Sequence, residues 1–188
     1  MVVHHTLKQI VPLSKDEYWS IVFTDEFDLF CAPFLKFKRS EPHTLSQEGA
    51  IVKREVTVYP DYHIPSALLW YLNQSEFHYN DIQEKNMETG EVHTKTVPPV
   101  HADMLHITTH QYIEAIDEHS CYHVMNVEIT CHAWGIGSIV EHAIISGVEE
   151  GYALLPKAVE AFKNHKQPNV AADHSLHSQT SQVAAVTL

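Results

Sequence analysis

The chain has 188 residues, of which 44% are hydrophobic and 19% are charged, a composition typical of one globular domain with a short tail. The formal net charge of -12 argues against nucleic acid as a partner. No apolar run reaches the roughly 18 residues of a membrane helix, and the N-terminus lacks the pattern of a secretory signal. The 3 cysteines form no Cys-x-x-Cys pair, so we interpret them as reduced thiols and predict a cytoplasmic protein.

The N-terminal part of the chain predicts one strand and two short helices. Residues 5–11 alternate in side-chain character, as an edge strand does. Ser14 and Glu17 have the spacing of a capping box, in which each side chain hydrogen-bonds to the backbone N–H of the other residue, so a helix should begin there. Asp25 is expected to cap a second short helix, which should end before Pro33 because the residue preceding a proline disfavours helical backbone angles.

The middle of the chain predicts strands separated by an apolar stretch. Residues 34–46 and 51–59 are expected to be two strands, and residues 76–84 and 91–97 to be the two arms of a hairpin. Residues 64–72 are too apolar for a free loop, and the proline near their start suits the first turn of a short helix.

The second half of the chain predicts another hairpin and a long helix. The hairpin comprises residues 104–116 and 120–132, and apolar residues then recur at intervals of three and four as far as about residue 164. Ser138 and Glu141 have the spacing of a second capping box, and Pro156 should kink the helix.

The order of these elements, together with several segments, resembles a known superfamily. The segments are residues 14–19, 24–25, 64–79, 134–141 and 147–152. They are similar to those of the START-like superfamily, also called the helix-grip fold, which includes lipid-transfer domains and polyketide cyclases, and most of all to its sterol-binding domains. The resemblance implies an α+β fold in which a curved antiparallel sheet of about seven strands wraps round the long C-terminal helix, with two short helices after the first strand. It implies a ligand-binding domain over residues 1–165, followed by a disordered polar tail over residues 166–188.

A cavity between sheet and helix follows from the same resemblance, and the residues support it independently. Gly147 and Gly151 lie one helical turn apart and remove side-chain bulk from one place. The alternative is that these glycines let the helix touch the sheet closely and leave no pocket.

The face of the second hairpin that lines the cavity depends on its turn. If the turn comprises only Asp117 and Glu118, Tyr112 pairs with His123, and the more apolar side chains of the second strand point inward. A three-residue turn would reverse the face of the first strand. With the shorter turn, the predicted ligand contacts are His106, Thr108, His110, Tyr112, His123, Met125, Val127, Phe77, Tyr79, Trp70, Val148 and Tyr152.

The leading functional hypothesis is a carrier or sensor that binds a hydrophobic or amphipathic small molecule, such as a lipid, a sterol-like or a fatty-acid-like compound. Residues 68–70 could then make transient contact with a membrane. The alternative is a cyclase, hydratase or isomerase that acts on a polyketide-like or aromatic substrate through histidine and tyrosine acid–base groups. A third possibility is a protein-interaction module with a filled cavity. The oligomeric state stays open, and no catalytic residue is assigned because the superfamily has no shared catalytic motif.

Metal and cofactor sites are not predicted, although the chain has 16 histidines. His106 and His110 would lie about 13 Å apart along one strand and cannot bind the same ion. His110 and His123 could approach each other, but no His-x-Glu or Cys-x-x-Cys pattern supports the closed set of ligands that a structural zinc needs. We therefore expect neither a metal centre nor a cofactor.

Overall fold

The computed structural model of the protein describes residues 2–61, 76–99, 102–135 and 137–166, with the backbone alone at residues 44 and 45. The strands are β1 (Val2–Val11), β2 (Phe37–Glu48), β3 (Ile51–Pro60), β4 (Tyr79–Asn86), β5 (Val92–Val97), β6 (Leu105–Ala115) and β7 (Cys121–Cys131). The helices are α1 (Lys15–Ile21), α2 (Asp25–Cys31), α3 (Gly137–Tyr152) and α4 (Leu155–Lys166), with a 3₁₀ turn at Ala32–Leu35.

The seven strands of the described residues form one antiparallel sheet in the order β1-β7-β6-β5-β4-β3-β2. β1 and β2 lie at opposite edges, so the chain crosses the sheet through α1 and α2. The helices pack on one face, which we call the inner face and which carries Leu7 of β1 and Val127 of β7; the opposite face is the outer face. This architecture confirms the predicted α+β helix-grip fold.

Two of the predicted segments lie outside the described residues. One is the apolar stretch 64–72, which includes Trp70, and the other is the tail from residue 167 onward. Within the described part, α4 continues through Lys166. The boundary between domain and tail stays a prediction.

The caps of the first two helices confirm one predicted residue and correct another. The backbone N–H of Glu17 donates to the Ser14 hydroxyl at 3.2 Å, and Glu17 accepts from the Ser14 N–H at 3.1 Å, as the capping box predicts. The second helix is capped by Thr24, whose hydroxyl accepts from the N–H of Phe27 at 3.2 Å. Asp25 is the first residue of that helix, where its negative charge still favours the positive end of the helix dipole.

The start of β2 also differs from the prediction. The strand begins at Phe37 rather than at Phe34, because Phe34 lies in a 3₁₀ turn that ends with Lys36 at φ 59°. The left-handed backbone at Lys36 redirects the chain into the sheet.

The long C-terminal helix consists of two helices. α3 ends at Tyr152 and α4 begins at Leu155. Pro156 has no N–H to donate to the carbonyl of Tyr152, and its ring would collide with that carbonyl in a continuous helix. The predicted bend therefore falls at residues 153–154, just before the proline.

Glu141 does not form the predicted capping box. Helix α3 begins at Gly137, which places Ser138 inside the helix. The carboxylate of Glu141 is buried and accepts from the backbone N–H of Cys131 at 3.0 Å. It thus joins the start of α3 to the end of β7.

The turn between β6 and β7 has three residues, 117–119. The N–H groups of Ile116 and Asp117 both donate to the carbonyl of Ser120 at 3.2 Å. The carboxylate of Asp117 accepts from the N–H of His119 and from the Ser120 hydroxyl, both at 2.8 Å. An aspartate that bonds to the backbone two residues on is a common stabiliser of such turns.

This turn shifts the pairing of β6 by one residue from the prediction. Ile113, not Tyr112, lies opposite His123. Because side chains alternate between the faces of a sheet, a shift of one residue moves every side chain of the strand to the other face. The predicted inner-face residues that lie on the outer face are His106, Thr108, His110 and Tyr112.

The apolar core lies mainly at the β1–β7–β6 end of the inner face. Ile144, Ile145 and Val148 of α3 pack with a cluster around Ile107 and Ile129. A second cluster joins α1, α2 and α4 to the strand ends. Its fully buried members include Val11, Leu13, Tyr18, Phe27 and Val159. Burying one such large side chain contributes about 1.5–3 kcal/mol.

Arg54 of β3 forms ion pairs with α2. It lies on the inner face of β3 and is 4% exposed. Its guanidinium forms an ion pair with Asp28, and its Nε lies 3.7 Å from Oδ1 of Asp25. Burial lowers the pKa of Arg54, and the charge of Asp25 opposes that shift. The cation therefore depends on these two carboxylates for compensation.

Removal of Asp28 should destabilise the fold strongly. Asp28→Ala leaves the buried cation of Arg54 with only the more distant Asp25, and we expect a loss of about 3 kcal/mol in the free energy of unfolding. Glu84→Ala is the control, since Glu84 pairs with Lys53 at 3.4 Å on the surface and such pairs contribute less than about 1 kcal/mol. Urea unfolding measures both, and equal losses in the two variants would contradict the role given to Asp28.

Candidate functional site

The inner face changes from apolar to polar across the sheet. On β7 it presents Met125, Val127 and Ile129, which pack in the apolar cluster with α3. On β3 to β6 the pairing places a run of polar side chains on the same face. They are Arg54, Asp81, Gln83, Lys85, Thr94, Thr96, Thr109 and Gln111. Polar groups at such positions require hydrogen-bond partners.

Asp81 of β4 and Thr96 of β5 are direct cross-strand partners. The Thr96 hydroxyl donates to Oδ1 of Asp81 at 2.6 Å. Burial raises the pKa of Asp81 to about 6, and the hydrogen bond from Thr96 opposes this shift. The Asp81 carboxyl therefore exchanges a proton close to neutral pH, which is the range that acid–base catalysis uses.

Gln111 connects two threonines to His123. Its amide nitrogen donates to the hydroxyls of Thr109 at 3.2 Å and Thr94 at 3.5 Å. Its amide oxygen lies 3.2 Å from Nε2 of His123, so that nitrogen carries the proton. Within the described part of the chain, Nδ1 of His123 has no hydrogen-bond partner. We call Asp81, Thr94, Thr96, Thr109, Gln111 and His123 the inner polar cluster.

Aromatic side chains enclose His123. The ring of Tyr18 stacks on it with a centroid distance of 5.2 Å, and Trp19 approaches edge-on at 6.2 Å. The hydroxyl of Tyr152 donates to the backbone carbonyl of His123 at 2.6 Å. His123 is 3% exposed, and burial lowers its pKa to about 4. The imidazole is therefore neutral at pH 7.

Lys85 is a buried cation at the end of the same run of polar residues. Its ammonium donates to the carbonyl of Trp19 at 3.4 Å and lies over the rings of Trp19 and Phe23, at 5.4 Å and 5.3 Å from their centroids. Burial lowers the pKa of Lys85. No carboxylate of the described residues forms an ion pair with it. In the described part of the chain, its charge is therefore compensated by a carbonyl dipole and two aromatic rings.

Several predicted ligand contacts lie on the inner side of the molecule. His123, Met125 and Val127 face inward from β7, and Val148 of α3 packs in the same cluster as Val127. Tyr152 contacts His123 through its ring, with centroids 5.4 Å apart. Their role as ligand contacts stays a prediction.

The aromatic residues that precede and begin β4 are placed only in part. Tyr79 pairs with Val58, in the same alternation as Asp81, and so belongs to the inner face. Phe77 precedes the strand, and its ring lies 6.3 Å from that of Tyr79. Trp70 falls outside the described residues.

The four predicted contacts on β6 lie on the outer face, because the turn has three residues and not two. Thr108 and His110 line an open groove there, with a volume of about 610 Å³. The groove crosses the middle of five strands, and most of its side chains point away from the helices. Examples are Thr6, Glu84, Thr108 and Asn126. Both faces of the sheet therefore carry polar residues.

The sequence interpretation missed most of the inner polar cluster. For β6 the apolar residues of the strand give a signal. Ile107 and Ile113 are buried, and they lie on the face opposite to the His106, Thr108, His110 and Tyr112 side chains that the two-residue turn predicts to point inward. For β4 the signal misleads, because the apolar Ile82 is 40% exposed while its neighbour Asp81 faces inward.

Comparison with solved structures identifies the fold. No protein-family model and no curated protein matches the chain. The Zhui aromatase/cyclase from Streptomyces sp. R1128 aligns with a TM-score of 0.63 and 11% identity, over 91% of this chain and 99% of its own. A START superfamily protein from Mycobacterium smegmatis aligns with a TM-score of 0.55 and 13% identity, over 86% and 98%.

A norcoclaurine synthase from Thalictrum flavum, solved with dopamine and hydroxybenzaldehyde, aligns with a TM-score of 0.54 and 17% identity, over 89% of this chain and 88% of its own. The chain has the START-like, helix-grip fold that these proteins share. In the part of the chain that is described, no helix combines the length and the apolar character needed to cross a bilayer.

The two titratable groups of the inner polar cluster should affect stability with opposite signs. Between pH 6.5 and about 4 the unfolded chain protonates His123 while the folded chain does not, so the stabilisation present above pH 6.5 is lost as the pH falls. We expect the free energy of unfolding of the wild type, measured with urea, to fall by about 2–3 kcal/mol more than that of His123→Gln between pH 7.5 and pH 4.5.

Asp81 supplies the matched comparison. Its folded pKa of about 6 lies above the ordinary 3.8, so its contribution is present at low pH and is lost as the pH rises through this window. The wild type should therefore lose stability relative to Asp81→Asn as the pH rises from 4 to 6. The difference in the free energy of unfolding between the wild type and each variant should therefore change with pH. If neither difference changes, the burial of His123 and Asp81 is refuted.

Proposed function

We propose that this protein binds an amphipathic small molecule against the inner face of the sheet, and carries or senses it. The ligand would be lipid-like, sterol-like or fatty-acid-like, with an apolar body and one polar head. The observation that carries the proposal is the change of the inner face from Met125, Val127 and Ile129 on β7 to the polar residues of the cluster on β4 to β6, which are Asp81, Thr94, Thr96, Thr109 and Gln111. Small-molecule sites typically combine an apolar lining with a few placed polar groups.

The charges favour an acidic head group. Lys85 is 7% exposed and has no carboxylate partner among the described residues. A ligand carboxylate would compensate its charge, and the hydroxyls of Thr94 and Thr109 could accept or donate further hydrogen bonds. The apolar body would then lie toward Met125 and Val148.

Two neighbouring threonines test which face binds the ligand. Strand alternation directs the side chain of Thr109 inward, beside Val127, and that of Thr108 outward, beside Glu128, so Thr109→Phe should fill the inner site while Thr108→Phe leaves it open. With cis-parinaric acid as the fluorescent probe, we expect Thr109→Phe to weaken binding at least about tenfold, through lost hydrogen bonds and blocked space. Thr108→Phe should bind as the wild type does.

If Thr108→Phe weakens binding and Thr109→Phe does not, the ligand binds in the outer groove and the proposal is refuted. Circular dichroism should first establish that both variants are folded. Native mass spectrometry of the purified protein, followed by lipid extraction, then identifies a natural ligand that co-purifies.

An enzymatic function is the second candidate, and Asp81 is the observation that favours it. A carboxyl with a pKa of about 6 can donate and accept a proton near neutral pH. Two of the structural neighbours, an aromatase/cyclase and a norcoclaurine synthase, are enzymes. The reaction would be a cyclisation, hydration or isomerisation of a polyketide-like or aromatic substrate.

Asp81→Asn distinguishes the enzyme from the carrier. If Asp81 acts as the acid or base, this variant should lose at least about 100-fold in turnover of a polyketide-like substrate, the usual contribution of such a group. Asp16→Asn, at an exposed aspartate in the first turn of α1, is the control for a carboxyl lost elsewhere. Turnover retained by Asp81→Asn would exclude Asp81 from the chemistry.

The proposal places the protein in the cytoplasm, and transfer would involve transient contact with a membrane. Cys31, Cys121 and Cys131 are free thiols, and thiols persist in reducing compartments. Burial raises the pKa of Cys31 to about 12 and of Cys121 to about 11, so both thiols stay protonated and unreactive.

A further inference from the structure

Two histidines and a glutamate meet on the outer face, on the side of the sheet opposite the helices. His93 of β5 lies directly across from His110 of β6, and their rings stack with centroids 4.5 Å apart and planes inclined by 8°. Glu91 precedes His93 by two residues, and its Oε2 lies 3.5 Å from Nε2 of His110. One ligand atom from each residue lies within 4.8 Å of the others.

These three groups are a donor set that transition metals prefer. Imidazole nitrogen and carboxylate oxygen bind zinc at about 2.0–2.2 Å, in tetrahedral geometry. Such a geometry requires neighbouring ligand atoms about 3.3 Å apart. The present separations of up to 4.8 Å can close by rotation of side chains, without movement of the strands.

The stacked rings must turn for both to bind one ion. Parallel imidazoles direct their lone pairs side by side, not to a common point. Rotation about the χ2 angle of each histidine makes the lone pairs converge, and this torsion has broad, shallow minima. The adjacent strands hold the two Cβ atoms about 4.5–5.5 Å apart, so the backbone already provides the required spacing.

An unsatisfied atom supports a ligand at this point. Nε2 of His110 is inaccessible to solvent, and it has no hydrogen-bond partner among the residues that the structure describes. The nearest acidic group, Glu91, approaches it without forming a hydrogen bond. A metal ion between them would satisfy both the nitrogen lone pair and the carboxylate.

The geometry points to a zinc-class metal site formed by Glu91, His93 and His110. Both histidines line the outer groove. Three protein ligands leave the fourth tetrahedral position to water or to a donor atom of a molecule in that groove. The site uses none of the residues of the inner polar cluster and is independent of the proposed ligand there.

Zinc titration of the full chain tests the site. The tail contains His174 and His177, so all variants also carry His174→Ala and His177→Ala. We expect one zinc ion per chain, measured by competition with a chromophoric chelator. His93→Ala, His110→Ala and Glu91→Gln should each weaken zinc binding at least about tenfold, because even outer-shell partners of a metal contribute that much. Ca²⁺ and Mg²⁺, which prefer oxygen ligands, should not compete.

Matched residues on the same face provide the control. His106→Ala and Glu128→Gln remove a histidine and a glutamate from the neighbouring part of the outer face and should leave zinc affinity unchanged. On addition of zinc, the imidazole ¹⁵N resonances of His93 and His110 should shift in the background protein, while that of His106 should not. The proposal is overturned if the His93 and His110 variants bind zinc as tightly as the control variants do. It is also overturned if the protein binds no zinc.

Discussion

The pairing register of β6 on β7, which the Asp117 turn sets, determines what each face of the sheet can do. Hydrogen bonds from the His119 N–H and the Ser120 hydroxyl lower the pKa of Asp117, so the turn is held by a carboxylate. The same register buries Ile107 and Ile113, each contributing about 1.5–3 kcal/mol. A slip by one residue would expose both and bury charged or aromatic neighbours. Turn chemistry and core packing therefore specify the same pairing.

The inner face combines groups that burial affects in opposite directions. Desolvation disfavours the charged form, which raises the pKa of Asp81 and lowers that of His123. Both groups are therefore shifted toward neutrality. Arg54 stays paired because α2 supplies carboxylates, whereas Lys85, among the described residues, contacts a carbonyl and two aromatic rings. The inner face thus tolerates polar side chains where they bond to one another, and Lys85 is buried without an ion-pair partner among the described residues.

The sequence allowed prediction of the fold more fully than of the site. Local signals such as the capping box of Ser14 and the helix-breaking proline at 156 located the elements, because they act over a few residues. The face of β6 depended on one extra residue in a turn, and the side chain of Asp117 decides that length. Asp81 could not be assigned to the inside, because Ile82 beside it is the more apolar residue. The pairing of His93 with His110 depends on the β5–β6 register, for which the sequence carries no local signal.

The alternation of side chains along β6 gives the two faces separate chemistry within one strand. Thr109 and Gln111 bond to the inner polar cluster, while Thr108 and His110 line the outer groove. β6 is paired on both sides, by β5 and β7, so its backbone is held by hydrogen bonds in both directions. A substitution on one face should therefore leave the backbone, and the side chains of the other face, in place. The proposed ligand binding and the proposed metal binding can therefore be tested separately by substituting residues that are neighbours in sequence.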